Sequence, residues 1–408
     1  MATKRTKKEG RGSPLSSPLT VDAPGGTNGV AARERTLDEV KRDVLGRVGK
    51  RSPFEDATGD DVEAVLRGIT SLDPDHWAGQ WGKMGAAHES QADQLARNGA
   101  GAREIADAHF RAFNYYRIGR YPVTSTPGKM AAYRHALRNF LKAARCFEPP
   151  LEVVEIPFEG KKVVGYLQVP RGIPRPPVVM HWGGVDGWKE DRQRNSRALH
   201  RAGLATFTMD MPGTGENPLR YAEPGAERTF SAAIDHLHAR DDVDGARIGV
   251  WGGSFGGYWA AKLAFVEAKR IKAAVNQGGG VHYGFQENWL RPALTRTASQ
   301  YLLGPASLLD ARSYVMGAST LDELLRIAPT LSLKTQGLLE RPSAPLLLVN
   351  GKKDDQQPID DVYIMLEYGN PKEARVYPEG GHMGSSHDTS DAQVAELIVA
   401  WLKSRLVS

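Results

Sequence analysis

The chain has a single cysteine among its 408 residues, Cys146, and this excludes an intrachain disulfide bond. Such scarcity is typical of a protein in a reducing compartment. The sequence also lacks a secretory leader and any apolar run long enough to cross a membrane, so we expect a cytoplasmic protein without membrane contact. Metal-ligand clusters and glycine-rich phosphate loops are missing as well, and we therefore expect neither a metal nor a cofactor.

The excess of positive charge is confined to one end of the chain. The formal net charge is +5, and residues 1–13 hold five lysines and arginines against Glu9 alone, which accounts for four of the five charges. Because the remainder is close to neutral, the composition does not favour nucleic-acid binding. The residues that follow are rich in Ser, Pro and Gly, so residues 1–34 are predicted to be a disordered basic tail.

A Gly-x-Ser-x-Gly motif, Gly252 to Gly256, is the most informative part of the sequence. An apolar run at 247–251 predicts a strand before it, and an Ala-rich pattern at 258–268 predicts a helix after it. A sharp strand-to-helix turn holds a serine in a strained conformation and exposes its hydroxyl at a helix N-terminus. We therefore predict that Ser254 is a nucleophile; the alternative is a glycine-rich turn with an incidental serine.

An acid and a histidine follow in the chain order that accompanies such a turn. Residues 344–350 predict a buried parallel strand, and Asp354 comes just past its carboxyl end, where sites of open α/β sheets lie. We predict Asp354 as the acid that orients the imidazole, with Asp355 as the alternative. His382 lies among glycines before the last helix and is the predicted general base, whereas His387 is interpreted as an ordinary residue.

Stabilisation of a developing oxyanion requires two N–H donors. One is expected from Phe255, directly after the nucleophile. The other is expected from the loop at 183–190, which follows an apolar strand and begins with two glycines, so that its amides can approach a ligand closely. Gly184 or Val185 is the predicted donor, and a purely structural turn is the alternative.

The remaining patterns divide the chain into two domains after the tail. Residues 35–150 have helical periodicity throughout and predict an all-helical lid domain. Residues 151–408 alternate strands and helices and predict a mostly parallel sheet with helices on both faces. Within this second domain, residues 283–338 are helical or irregular and are a candidate for an additional cap segment.

A helical lid beside a serine site is well placed to supply a substrate pocket. Its aromatic residues suggest a hydrophobic, aromatic ligand, although aromatic residues at helical spacing are more often core. The candidate pocket residues are Trp182, Asp186, Tyr115, Tyr116 and Glu287.

Three motifs of the chain resemble those of a known family. They are the sequence Tyr115-Tyr116-Arg117 in the helical block, the Gly-Gly-x-Asp-x-x-Lys-Glu loop at Gly183 to Glu190, and the Gly-x-Ser-x-Gly-Gly-Tyr turn at Gly252 to Tyr258. Together they are similar to the FrsA-like branch of the α/β-hydrolase superfamily, which includes enzymes of the dihydroxypseudooxynicotine hydrolase type. The resemblance extends from about residue 55 to the C-terminus.

The resemblance implies the α/β-hydrolase fold with a helical lid, and a triad of Ser254, Asp354 and His382. It offers Glu287 as an additional pocket acid, although no motif determines that correspondence. Members of this branch cleave carbon–carbon bonds beside a ketone as well as esters. Helical blocks of this kind often join subunits, so the resemblance also implies a homodimer.

The favoured function is that of a serine hydrolase that forms an acyl-enzyme with a small carbonyl compound, by cleaving an ester or a ketone-adjacent C–C bond. A first alternative is a peptidase of the prolyl-oligopeptidase type, but those enzymes carry a β-propeller and this N-terminal region is helical. A second alternative is a binding or regulatory protein that keeps the fold without turnover. The presence of all three triad residues argues against it.

Overall fold

The computed structural model describes residues 34–296 and 301–407. The predicted basic tail lies outside the described residues except for its last position. No helix in these two ranges is long and apolar enough to cross a membrane.

All the regular secondary structure of the described residues up to 144 is helical. Thr36 begins the first helix with a capping box, in which its hydroxyl accepts from the Glu39 amide. Asp73 caps the third helix ahead of a proline at the first helical position. The helices are α1 (Leu37–Arg47), α2 (Gly59–Gly68), α3 (Pro74–Arg97), α4 (Ala102–Arg120) and α5 (Pro127–Ala144). We call residues 37–144 the helical block.

The helical block has its own aromatic core. Trp77 and Trp81 are fully buried, and their rings lie 5.6 Å apart. The indole of Trp77 donates a hydrogen bond of 2.8 Å to the carbonyl of Ile118, which ties α3 to α4. A buried indole N–H without a partner would be costly, so this bond sets the register of the two helices.

The described residues after the helical block form one sheet of eight strands in the order β1-β2-β4-β3-β5-β6-β7-β8. The strands are β1 (Leu151–Phe158), β2 (Lys161–Gln168), β3 (Pro177–Trp182), β4 (Ala205–Met209), β5 (Asp244–Gly253), β6 (Ile271–Gln277), β7 (Leu346–Gly351) and β8 (Glu373–Tyr377). Only the pairs β1–β2 and β2–β4 are antiparallel; the others are parallel.

Helices cover both faces of this sheet. The covering helices are α6 (Gln193–Arg201), α7 (Arg228–His238), α8 (Phe255–Val266), α12 (Asp360–Glu367) and α13 (Asp391–Leu406). Successive strand residues point to opposite faces: Val178 and Met180 pack with α7 and α8, whereas Val179 packs with α6 and α13. The prediction of a mostly parallel sheet with helices on both faces is confirmed. The prediction was possible because strands that are buried on both faces are continuously apolar in sequence.

The described part of the stretch between β6 and β7 contains the α-helices α9 (Glu287–Arg296), α10 (Pro305–Met316) and α11 (Leu321–Ile327). We call this stretch, residues 283–338, the cap segment. It touches the helical block, since Thr124 hydrogen-bonds the hydroxyl of Tyr314 at 2.8 Å and Ser125 donates to Asp310 at 2.6 Å. The helical block and the cap segment therefore meet above the carboxyl ends of the central strands.

Candidate active site

Ser254 lies at the turn between β5 and α8. Its backbone has φ 53° and ψ −129°, a conformation that side-chain-bearing residues rarely adopt. The flanking glycines leave no room for a side chain. A Cβ on Gly252 would lie 1.9 Å from the carbonyl oxygen of Gly256, and a Cβ on Gly256 would lie 2.1 Å from that of Gly183. These close approaches explain why the motif needs glycine at both positions.

The structure brings the three residues of the predicted triad into contact. His382 Nε2 lies 2.8 Å from Ser254 Oγ, and His382 Nδ1 lies 2.8 Å from Asp354 Oδ2. The acid in contact with the imidazole is thus Asp354 and not its neighbour Asp355. With the proton on Nδ1 toward the carboxylate, Nε2 is free to accept the serine proton.

The carboxylate of Asp354 is held by four hydrogen bonds. Beside His382, it accepts from the side-chain amide of Asn350 at 2.9 Å and from the backbone amides of Gln356 and Gln357 at 2.8 and 3.1 Å. Full coordination of this kind fixes the direction of the oxygen that faces the imidazole.

Asn350 also orients the histidine loop, and the sequence analysis did not identify it. Its side-chain oxygen accepts from the amide of Met383 at 3.1 Å, while its nitrogen donates to Asp354. One buried amide therefore links the acid to the residue that follows His382. The feature of the sequence that could have identified Asn350 is its position as a polar residue at the end of an otherwise apolar strand.

The loop after β3 lies against the serine. A Cβ on Gly184 would come within 2.7 Å of Ser254 Cβ, so the backbone passes directly beside the side chain. Among the described residues, no acceptor pairs with the backbone amides of Gly184, Val185 or Phe255. Donors without partners beside a serine are what a developing oxyanion needs.

A buried ionic cluster anchors the far end of this loop. The ammonium of Lys189 lies 2.7 Å from Glu190, 2.8 Å from Asp210 and 2.9 Å from Glu216. Burial, with a further contribution from Asp210, raises the pKa of Glu190 to about 7 in spite of Lys189. Removal of the lysine would leave buried carboxylates without a counter-charge, so we expect it to be strongly destabilising.

Two arginines of α4 connect the helical block to the same loop. Arg117 and Arg120 contact the two oxygens of Asp191 at 3.1 and 2.9 Å. Arg120 also donates to the carbonyl of Asp186 at 3.1 Å and lies 4.1 Å from the ring centre of Trp188. The position of the loop that carries the unpaired amides thus depends on a helix that precedes the sheet.

The candidate pocket residues are distributed over several places. Trp182 is buried under the turn, where its indole donates to the carbonyl of Gly256 at 2.8 Å. Asp186 is half-buried in the loop beside Ser254. Glu287 is exposed and forms an ion pair with Arg291 at 2.9 Å, so it does not line an enclosed site.

The two tyrosines of the helical block are also separate from the triad. The hydroxyl of Tyr115 donates to Asp61 at 2.6 Å, and that of Tyr116 donates to Glu89 at 3.1 Å. Their ring contacts, to His88 and His135 among others, stay within the helical block. The structure therefore places them in the core of that block and does not bring them to Ser254.

Sequence comparisons identify the family of the chain. The model of the family described as "Esterase FrsA-like" matches residues 36–398. The chain is 27% identical over 344 residues to the esterase FrsA of Vibrio vulnificus (strain YJ016), covering 81% of this chain and 77% of that protein. It is 30% identical over 286 residues to the esterase FrsA of Photorhabdus laumondii, covering 67% of this chain and 64% of that protein.

Solved structures show the same fold. The 2,6-dihydroxy-pseudo-oxynicotine hydrolase superposes with a TM-score of 0.73 at 22% identity, over 90% of this chain and 95% of that chain. The protein AbyA5 superposes with a TM-score of 0.68 at 20% identity, over 91% and 99% of the two chains. These matches confirm the predicted α/β-hydrolase fold. The chain belongs to the FrsA-like esterase family of the α/β-hydrolase superfamily.

Proposed function

We propose that this protein is a serine hydrolase in which Ser254 attacks a carbonyl carbon, His382 accepts the serine proton and Asp354 orients the imidazole. The observation that carries the proposal is the pair of 2.8 Å contacts that His382 makes with Ser254 on one side and with Asp354 on the other. A serine hydroxyl becomes nucleophilic only when such a base receives its proton, and the carboxylate then stabilises the imidazolium.

The backbone amide of Phe255 and one of the amides of Gly184 and Val185 are the proposed oxyanion donors. Support comes from the absence of acceptors for these amides in the described ranges and from the contact between Gly184 and Ser254. The tetrahedral intermediate collapses to an acyl-enzyme as His382 returns the proton to the leaving group. Water, activated by the same imidazole, then releases the acid.

Ester hydrolysis is the activity we favour, because the relatives reported above are named as esterases. Cleavage of a C–C bond beside a ketone uses the same attack but expels a carbanion, so it requires a substrate with a stabilising carbonyl or aromatic neighbour. Both reactions suit a small carbonyl compound. A screen of aryl esters against β-diketones and aryl ketones separates them.

The decisive experiment is intact-protein mass spectrometry after exposure to an alkyl fluorophosphonate. We expect one adduct on the native protein and none on Ser254→Ala, with hydrolysis lowered by several orders of magnitude in that variant. Ser404→Ala, at an exposed position on α13, is the matched control and should still be labelled. Comparable turnover by Ser254→Ala would refute the assignment of the nucleophile.

We also propose, from the family resemblance alone, that the protein is a homodimer. Light scattering should then report twice the chain mass of 44.5 kDa. A monomeric mass across the accessible concentration range would exclude it.

A further inference from the structure

The loops on the two sides of Ser254 are connected by side chains that the proposed mechanism does not use. The strand order puts the loop after β3 on one side of the serine and the loop after β7 on the other, since the carboxyl ends of parallel strands share one edge. Asp186 lies in the first loop and Asp355 lies in the second, next to Asp354.

Tyr121, at the C-terminal end of α4, and Tyr301, from the cap segment, adjoin the first loop. Their rings stack with centres 6.0 Å apart. Burial, followed by the charge of Asp186, raises the pKa of Tyr121 well above its usual value. Burial, followed by the neighbouring Tyr121 and Asp186, also raises the pKa of Tyr301 well above its usual value. Both phenols therefore remain protonated and can donate hydrogen bonds.

Arg312 of α10 continues this series of polar groups to the second loop. Its Nη2 donates to the carbonyl of Gln356 at 3.3 Å. Burial lowers the pKa of Arg312, against the opposing charges of Asp354 and Asp355. We call the side chains of Asp186, Tyr121, Tyr301, Arg312 and Asp355 the polar bridge. Its two ends belong to the loops that flank Ser254, so the polar bridge connects the two sides of the serine.

The guanidinium of Arg312 is short of partners. Arg312 is 8% exposed, yet among the described residues it forms that one hydrogen bond to a carbonyl and no ion pair. Arg117 and Arg120 are buried to a similar degree, and both are paired with Asp191. A guanidinium has five N–H donors, and a buried cation without a counter-ion is costly unless a ligand supplies one.

Its neighbours show the same deficiency. One carboxylate oxygen of Asp355 is buried without a partner in hydrogen-bonding geometry among the described residues, and the buried hydroxyl of Tyr301 has only a loosely aligned neighbour in the hydroxyl of Tyr121. Burial and the adjacent Asp354 raise the pKa of Asp355 to about 6. Among the described residues Asp355 forms no ion pair with Arg312, although its charge acts on the guanidinium from a distance.

We propose that Arg312 and Tyr301 form a subsite for a carboxylate of the substrate, so that this hydrolase prefers carbonyl compounds that carry an acidic group. The inference rests on the proposed role of Ser254, because Arg312 contacts Gln356, whose amide donates to the Asp354 carboxylate that holds His382. A guanidinium matches a carboxylate in charge and in its two parallel N–H donors, and the phenol of Tyr301 supplies a further donor. Asp355 repels such a ligand when it is ionised and therefore limits the preference.

Two pairs of esters that differ in charge test the subsite. In the first pair the acyl group differs: 4-nitrophenyl hydrogen glutarate against 4-nitrophenyl hexanoate. In the second the leaving group differs: 4-acetoxybenzoate against its methyl ester. We expect the native protein to favour the acid of at least one pair by about tenfold or more in kcat/KM, the factor that 1.4 kcal/mol represents. A preference in the first pair would place the carboxylate on the acyl side of the scissile bond, and a preference in the second pair would place it on the leaving-group side.

Variants should shift this ratio in opposite directions. Arg312→Met should bring the acid-to-neutral ratio to about 1 or below, and Arg312→Lys should retain part of it because the charge remains. Asp355→Asn should raise the ratio, since it removes a negative charge beside the ligand. Arg138→Met, on the surface of the helical block, is the matched control and should leave the native ratio in place. Because a misfolded fraction lowers the rates of both esters by the same factor, the acid-to-neutral ratio of one sample does not depend on it.

A native ratio near 1 for both pairs would overturn the inference, and so would an equal loss of both rates in Arg312→Met. Fluorophosphonate labelling of Ser254 in the same samples shows that the proposed function stands in those cases. Calorimetry with Ser254→Ala requires no turnover. That variant should bind 4-acetoxybenzoate more tightly than its methyl ester, and Ser254→Ala combined with Arg312→Met should not.

Discussion

At the level of single residues, the sequence predicts Asp354 as the acid of the triad but offers its neighbour Asp355 as an alternative. Only Asp354 contacts His382, and its four hydrogen bonds keep its carboxylate aligned with the imidazole. Asp355, one position later, has a buried oxygen without a partner among the described residues. Adjacent residues on a turn point in different directions, so a sequence that places both after a strand cannot tell them apart.

This difference predicts unequal effects of two isosteric substitutions. Asp354→Asn should lower kcat by a factor on the order of 10⁴, because an amide favours the wrong tautomer of the imidazole. Asp355→Asn should cost far less on a neutral ester. Steady-state kinetics with 4-nitrophenyl hexanoate checks both variants, and circular dichroism verifies that they fold. If Asp355→Asn caused the larger loss, the assignment of the acid would have to be reversed.

At the level of secondary-structure elements, the helical block contributes more than a cover over the site. Arg120 at the end of α4 holds Asp191 and the carbonyl of Asp186, and the indole of Trp188 donates to the carbonyl of Val185 at 3.0 Å. The loop that carries the proposed oxyanion donors is therefore positioned by a helix of the preceding block. Preorganised donors stabilise a transition state only if they stay in place.

Accordingly, Arg120→Met should lower kcat more than it raises KM, by about 10- to 100-fold, the scale expected when an oxyanion donor is displaced. Arg138→Met removes another arginine of the helical block, at a half-exposed position that pairs with Glu89, and serves as the control. Kinetics with a neutral ester separates kcat from KM, and thermal melting reports stability. A loss of activity that tracks stability in both variants would assign Arg120 a structural role only.

At the level of the whole molecule, stability against acid depends on carboxylates that are paired in the folded state. Glu89 accepts from Arg138 at 2.8 Å and from Tyr116 at 3.1 Å. Burial alone would raise its pKa, but the hydrogen bond from Arg138 and the other donors lower it from 4.5 to about 2. Because the folded pKa is the lower one, this stabilisation is present above about pH 4.5 and is lost as the pH falls toward 2.

Urea unfolding measured between pH 6 and pH 3 tests this linkage. The free energy of unfolding of the native protein should fall with acidification, and Glu89→Gln should fall less steeply, since it removes one group that takes up a proton on unfolding. The two curves should converge toward low pH. Parallel curves over the whole range would show that Glu89 does not contribute.

Features that depend on residues close together in the sequence could be predicted, whereas features that depend on distant residues could not. The turn around Ser254 is local: its positive φ and the close approach of Gly252 to the carbonyl of Gly256 involve residues only a few positions apart. The strands that carry the triad are continuous apolar runs with a single interpretation. Fold class, family and the candidate triad residues could therefore be identified from the sequence.

The roles of Asn350, Arg120 and Arg312 could not be identified in this way. Arg120 and Asp191 are 71 positions apart, and Arg312 reaches a carbonyl 44 positions away. A polar residue in a helical pattern does not show which distant group it faces. For the same reason the sequence did not show where Tyr115 and Tyr116 point. They are aromatic, as pocket residues often are, but their side chains lie in the core of the helical block.

The architecture and the order of the reactive groups can thus be predicted from the sequence, because periodicity and turn chemistry act over a few residues. Long-range packing, in contrast, determines which aspartate meets the imidazole, which helix holds the loop beside the serine and which buried cation lacks an ion-pair partner among the described residues. These outcomes depend on the burial of charged groups from separate elements in one place, where each group must find a counter-charge or be left without one.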